Sequence, residues 1–371
     1  MFENIKTPSY VCFEELLEKN LKTLAYVKER SGAKILLALK GFSFYHLEPL
    51  VSKYLDGCCA SGLWEAKLSH NEFRGETHTY SPAFKEDEID EILDFSHHVV
   101  FNSFAQWEKY KEKAINKTSC GLRVNPEVSC APVELYNPCG LHSRFGVTVK
   151  EFKEELLDGL EGLHFHALCE QGADELEIVL RAFEEKFGKY ISKMKWINFG
   201  GGHHITKAGY DIEKLIRLVC EFKARYNVDV YLEPGEAVGW EVGVLVASVQ
   251  DIIYNNMQVA ILDASAEAHM PDTLAMPYRA EVRGAGIAGE KKYTYKLTGN
   301  SCLSGDIMGD YSFDEPLKIG DKIIFEDQIH YTIVKNTTFN GIKLPSLAVI
   351  KKDGEFQVVK EFKYEDYRNR N

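Results

Sequence analysis

From residue 34 to about residue 234 the chain alternates eight times between short β-rich segments and amphipathic helical ones, and this alternation constrains its fold more than any other feature. The β-rich segments are KILLALK (34–40), CCAS (58–61), THTYS (77–81), HVVFNS (98–103), CGLRVN (120–125), GLHFHAL (162–168), KWINFG (195–200) and VDVYLEP (228–234). Between them lie EDEIDEILDF, FAQWEKYKEKA, VKEFKEELLD, ELEIVLRAFEEKF and DIEKLIRLVCEFKARY, whose apolar residues recur at helical spacing. A run of this kind is the signature of a parallel sheet covered by helices. Eight such units in this length favour a closed, TIM-like (β/α)8 barrel, with an open doubly wound sheet as the alternative.

After Pro234 the texture changes to Val, Ile, Thr and Tyr runs broken by Gly, Asn and Asp: VGVLVASVQDIIY, MQVAILDAS, YTYKLTG, DKIIFEDQIHYTIV and PSLAVIKKDGEFQVV. These read as antiparallel strands of a second, all-β domain, and the extended TPSYVCF near the N-terminus is expected to complete its sheet. The expected division is a barrel over 27–240 and a β domain made of 1–26 and 241–371.

A hydrophobic content of 45% over 371 residues supports a full core without staples. The nine cysteines are odd in number and form no CxxC pair, which points to reduced thiols in a cytoplasm. The N-terminus has no basic region followed by an apolar one, and no apolar run approaches the roughly 20 residues that span a bilayer. A soluble, unexported protein with no membrane partner is expected. The formal charge of −12 disfavours nucleic acid as a partner and is compatible with a cationic small molecule.

Functional groups of such barrels collect at the C-terminal strand ends. Here these are Lys40, Arg123 and Asn125, His164 and His166, Gly200 to Gly202, and Glu233 to Gly235. There is no HExxH, no carboxylate cluster spaced for a metal and no GxSxG elbow, so no metal is expected. Three glycines after a strand expose backbone N–H groups as a nest for a phosphate, or form a permissive turn. An ammonium after the apolar run Ile35–Leu39 is costly unless paired, deprotonated or covalently used. Lys40 reads as an imine-forming amine, or as a salt-bridged residue. Amine and nest together suggest one cofactor, pyridoxal 5'-phosphate. Glu233 then pairs with the pyridine nitrogen, or is a structural carboxylate at a turn. His164 and His166 point the same way by strand alternation, and one of them is suited to stack on the ring.

ALKG, GLHFHALCEQ, NFGGGHH and EPGE, in that order, resemble the fold-type III, alanine racemase-like decarboxylases that include the ornithine and diaminopimelate enzymes. The resemblance covers nearly the whole chain. LALKGFS, FHALCEQ, EPGEAVG, HMPDTLAMPYR and GNSCLSGD are most similar to the branch that acts on carboxynorspermidine and carboxyspermidine in polyamine synthesis. The resemblance implies that Lys40 holds the cofactor, His166 stacks on it, Gly200, Gly201 and Gly202 bind its phosphate and Glu233 meets its ring nitrogen. It also implies Tyr331 at the phosphate, Phe339 near the substrate, Cys302 by the substrate α-carbon as proton donor and Asp306 at a distal amine. In the family the last two come from the partner subunit, so a homodimer with shared sites is implied.

The departures are informative. Glu236 follows Gly235 where related enzymes have EPGR, which exchanges a cation for an anion. Leu303 follows Cys302 where diaminopimelate enzymes have a glutamate. Glu236, Asp272 in HMPDT and Asp306 are the candidate carboxylates for a cationic, polyamine-like tail. A decarboxylase of another basic amino acid, a racemase and a non-catalytic regulator stay open at this level, although the cofactor lysine and the glycine loop are both intact.

Overall fold

The computed structural model describes residues 2–131 and 133–371. Two compact units emerge, one of Glu18–Val238 and the other of the chain up to Leu17 and from Gly239 onward. The first strand, β1 (Ser9–Phe13), belongs to the second of these. The next eight are β2 (Lys34–Ala38), β3 (Gly57–Ala60), β4 (Glu76–Tyr80), β5 (His98–Phe101), β6 (Ser119–Arg123), β7 (Gly162–His164), β8 (Trp196–Asn198) and β9 (Asp229–Leu232). They close into a barrel in sequence order, every neighbouring pair parallel and β2 bonded to β9. The barrel is therefore closed, not an open sheet. Its strands read as apolar runs because helices cover one face and the barrel interior the other.

The interior is filled by Leu36, Val100, Trp196 and Tyr231, with Cys59 and Tyr80 packed on them. The Trp196 indole fits only because its neighbours are glycines: a Cβ on Gly121 or Gly162 would come within 2.3 or 2.1 Å of it. At the N-terminal strand ends the interior turns polar. Lys34 Nζ lies 2.5 Å from Glu76 Oε1 and donates to the Tyr231 hydroxyl at 3.0 Å, while the His78 and His98 rings stack 3.9 Å apart.

Outside, the helices Phe104–Ala114, Ala173–Ile191 and Ile212–Tyr226 bury one stripe each. The first is capped by Ser103 Oγ, which accepts from Gln106 N, and the last by Asp211, which accepts from Lys214 N. The expected helix over VKEFKEELLD is absent. Two 3-10 turns, Val149–Glu151 and Glu154–Leu156, take its place. Phe152 lodges against Phe104, Phe187 and Tyr190, and the Trp107 indole N–H takes the Leu156 carbonyl that a continuing helix would need.

The second unit holds β1 and a further eight strands: β10 (Gly243–Tyr254), β11 (Gln258–Leu262), β12 (Gly286–Ile287), β13 (Tyr293–Thr298), β14 (Ile307–Phe313), β15 (Lys322–Glu326), β16 (Ser346–Ile350) and β17 (Phe356–Lys360). They form one sheet ordered β12-β14-β13-β11-β10-β1-β16-β17, with β15 also on β10. The N-terminal segment completes the sheet as expected, through β1. The sheet is mixed where an antiparallel one was expected, since β1 runs parallel to β16 and β11 parallel to β13. Val11, Val244, Val246, Ala348 and Ile350 form a core with Phe2 and Ile5. TIV at 332–334 is helical rather than extended. Asp327 at φ 56° turns the chain out of the sheet and Tyr331 at φ 42° opens the turn Thr332–Lys335.

All nine cysteines are unpaired, and among the described residues no helix is long and apolar enough to cross a membrane.

Candidate active site

The C-terminal ends of the barrel strands gather one cluster of chemistry. Ala38 N bonds to Pro234 O, Leu39 N to Cys59 O, and Gly41 N folds back to Ala38 O, so the chain reverses just after β2 and presents Lys40. Gly41 permits this turn: a Cβ there would meet the backbone of Gly235 and Glu236 at 3.1 Å. ALKG and EPGE are thus parts of one close backbone crossing. Lys40 was expected at a buried strand end; its side chain is instead exposed in the barrel mouth, although wall atoms ring it. Their desolvation, reinforced by the Arg123 guanidinium and opposed by Glu233 and Glu65, draws the ammonium below the ordinary lysine value. Among the described residues its Nζ takes up no hydrogen bond or ion pair. Arg123 is itself buried, sandwiched between the Tyr80 and Phe145 rings, and donates to the His166 carbonyl at 3.2 Å.

Glu233 stands at the end of β9 with its side chain 12% exposed. Burial by itself would raise its carboxyl. The His164 ring, 3.4 Å from Oε2, and the Asn198 amide, donating to Oε1 at 2.7 Å, outweigh that and bring it down to about 2. His164 is 2% exposed, and desolvation holds it below the ordinary histidine value, with the Glu233 carboxylate opposing the shift. His166 lies well below its usual value for the same reason, with Lys40 and Arg123 adding to the effect. Its Nδ1 accepts from Gly201 N at 3.0 Å, which leaves the proton on Nε2.

The glycine loop differs from the expected nest. Gly200 N donates to Asn198 Oδ1 at 2.8 Å and Gly201 N to His166 Nδ1, so neither N–H is available to an anion. Among the described residues, Gly202 N and His203 N have no acceptor, and they are what the loop can offer. Gly200 at φ 69° and Gly202 at φ 82° need glycine on conformational grounds. A Cβ on Gly201 would lie 2.4 Å from Glu233 O.

Glu236 Oε2 lies 3.2 Å from His204 Nε2. Sequence spacing showed no carboxylate cluster, yet donors of Glu170, His204 and Glu236 lie within 4.8 Å of one another, as do those of Glu76, His78 and His98. The first group draws on three separate segments, and the second joins Glu76 and His78 of β4 to His98 of β5, so spacing along the chain does not display either group whole. In the latter the carboxylate is already engaged by Lys34 and His78.

In the β unit Cys302 is exposed on the turn after β13, and its N–H donates to Asn340 Oδ1 at 2.7 Å. Asp306 does not stand where an amine ligand must. It is 3% exposed, and its oxygens accept from Ser265 Oγ and the N–H groups of Ala266, Glu267 and Ser301 at 2.6 to 3.3 Å. It caps the helical turn Ala266–His269 and shapes the Cys302 turn. Asp272 pairs through both oxygens with Lys335 Nζ at 2.8 and 2.9 Å, and that Nζ lies 5.2 Å from the centre of the Tyr331 ring. Phe339 is 41% exposed.

A family model described as "Pyridoxal-dependent decarboxylase, C-terminal sheet domain" matches residues 25–328. The chain belongs to this family of pyridoxal-dependent decarboxylases. It is 59% identical to a carboxynorspermidine/carboxyspermidine decarboxylase of Campylobacter jejuni, across the full length of both chains. It is 42% identical to a carboxyaminopropylagmatine decarboxylase of Synechocystis, over 99% of this chain and 96% of that one. A crystal structure of C. jejuni carboxynorspermidine decarboxylase complexed with norspermidine superposes with a TM-score of 0.94 at 57% identity, covering 99% of this chain and 100% of that chain.

The cluster fits the cofactor of a pyridoxal-dependent decarboxylase. Among the described residues Lys40 is an amine without a partner and with a lowered pKa, Gly202 and His203 offer N–H groups at the end of a glycine run that has no room for a Cβ, and Glu233 is an ionised carboxylate. Asn198, which ties the last two together, escaped the sequence reading. Its position directly before the glycines was the available signal.

Proposed function

We propose that this decarboxylase removes the α-carboxylate of carboxynorspermidine and carboxyspermidine, releasing carbon dioxide and leaving norspermidine or spermidine for polyamine biosynthesis. The full-length 59% identity to an enzyme of that name carries the substrate assignment. Lys40 would hold pyridoxal 5'-phosphate, Gly202 and His203 would bind its phosphate through backbone N–H groups, and Gly200 and Gly201 shape that loop. When bound, the cofactor supplies an electron sink for the pair left behind as carbon dioxide departs.

This chain's own residues do the rest. Glu233, ionised and held by Asn198, keeps the ring nitrogen protonated. His166, neutral with its proton on Nε2, stacks on the ring without adding charge. Cys302 of the partner subunit gives the α-carbon the proton that replaces the carboxylate, so one proton is taken up for each carbon dioxide released. Glu236, on the barrel unit, offers a carboxylate to an amine of the cationic tail.

The test is carbon dioxide release from carboxynorspermidine, carboxyspermidine, carboxyaminopropylagmatine, ornithine, lysine and diaminopimelate. The first two are expected to be turned over with the highest kcat/KM. Preference for any of the last three overturns the assignment, and preference for the guanidino compound moves it to the activity named for the Synechocystis relative.

A further inference from the structure

The turn that carries Cys302 is clamped from two sides by groups that the proposed chemistry does not use. On one side lies buried Asp306, accepting from Ser301 N at 3.2 Å while its own N–H bonds to Leu303 O at 3.0 Å. Gly299 is required there, since a Cβ would fall 2.3 Å from Asp306 Oδ2. On the other side Asn340 Oδ1 takes the Cys302 N–H at 2.7 Å.

Asn340 is an unusual choice for a merely structural acceptor. It is exposed, sits at φ 57° in the left-handed region and is followed by Gly341 at φ 71°. Asparagine tolerates that region better than most residues, yet the strain and the ordering of an exposed side chain must be offset by what the side chain does. Among the described residues, the one hydrogen bond its side chain accepts comes from the residue whose thiol is proposed to act. The segment is braced from behind: Arg370, in the C-terminal helix Tyr364–Arg370, donates to Thr338 Oγ1 at 2.7 Å. Phe339 lies between these anchors, so the aromatic proposed to line the substrate and the thiol proposed to serve it are joined through one carboxamide.

We infer that Asn340 is a positioning residue for Cys302: its carboxamide fixes the peptide of residue 302 and so the direction of the thiol. The inference rests on the reading of Cys302 as proton donor, and three variants separate the two. Asn340→Gly keeps the left-handed backbone and removes the acceptor, Asn340→Asp keeps an acceptor oxygen, and Cys302→Ala removes the thiol. Polyamine formation is measured as kcat and KM. In the holoenzyme, hydrogen–deuterium exchange of the Cys302 amide is followed by NMR.

The expected result for Asn340→Gly is about a tenfold fall in kcat with KM held within about twofold, and about tenfold faster exchange of the Cys302 amide, the scale of one hydrogen bond. Asn340→Asp should return both to within about threefold of wild type. Unchanged exchange in Asn340→Gly, or a raised KM with kcat held, overturns the positioning role while Cys302→Ala still loses activity. Wild-type kcat in Cys302→Ala overturns the proton-donor reading, and the positioning role with it.

Discussion

Every polar atom of the Asn198 side chain is committed, and the site's electrostatics run through it. The residue is fully buried, its amide donates to Glu233 Oε1 and its carbonyl accepts from Gly200 N. Asn198→Ala would leave a buried N–H without an acceptor and the carboxylate short of a donor, at a cost of about 1–3 kcal/mol in stability. Urea unfolding should show that loss, and kcat should fall with it. Glu233→Ala removes the proposed charge partner of the ring nitrogen, worth about 3 kcal/mol or roughly two orders of magnitude in kcat. A variant as fast as wild type would remove Glu233 from the mechanism. Its depressed pKa also has a stability sign. The carboxyl falls from 4.5 to about 2 on folding, so its contribution is whole above pH 4.5 and is lost as pH drops through 2. The unfolding free-energy gap between wild type and Glu233→Gln should therefore stay constant from pH 7 to 5 and narrow between pH 4 and 2.5. Lys40 and Glu233 were legible in the sequence because each ends a strand, where a barrel displays its chemistry. The bonds of Asp306 were not legible, because its donors Ser265 and Ala266 lie forty residues upstream, a closeness only the folded sheet creates.

At the scale of elements, the barrel depends on the fit of one indole between two strands that carry glycine. Gly121 on β6 and Gly162 on β7 leave the room that Trp196 on β8 fills. Gly162→Ala forces the indole or the strands apart, and overpacking of this kind costs about 1–3 kcal/mol. The midpoint of urea unfolding should drop accordingly, and Gly162→Ala combined with Trp196→Phe should recover part of the loss, because the two sites share one volume. Recovery of nothing would mean that the strain lies in the backbone of β7. All eight barrel strands could be read from short β-rich segments alternating with helical periodicity. The failures were segments whose pattern was right and whose neighbours were decisive. VKEFKEELLD has helical spacing, yet Phe152 and the Leu156 carbonyl are claimed by neighbouring helices. Ile307–Phe313, broken by Gly309 and Asp310, gave no strand signal, and its place is fixed by pairing with β13. That β11 and β13 run parallel is set by the excursion through residues 263–292 and not by any local residue preference.

At the scale of the whole molecule, the proposed function makes each active site a product of two chains, and this can be tested without a structure of the assembly. Lys40→Ala should abolish activity because it removes the proposed attachment of the cofactor, and Cys302→Ala should cripple it because it removes the proposed proton donor. In the proposed dimer a site takes Lys40 from one subunit and Cys302 from the other. A mixed dimer of the two variants then contains one site with both defects and one with neither. Random reassortment makes half the dimers mixed, each with one of two sites intact, so about a quarter of wild-type activity should return on mixing. If both residues served the site of their own chain, every site in the mixed dimer would keep one defect and nothing would return. The experiment therefore separates shared sites from self-contained ones by presence against absence of activity. Reassortment is verified independently by tagging one variant and recovering the other with it, so that a silent mixture of unexchanged dimers is not mistaken for a self-contained site.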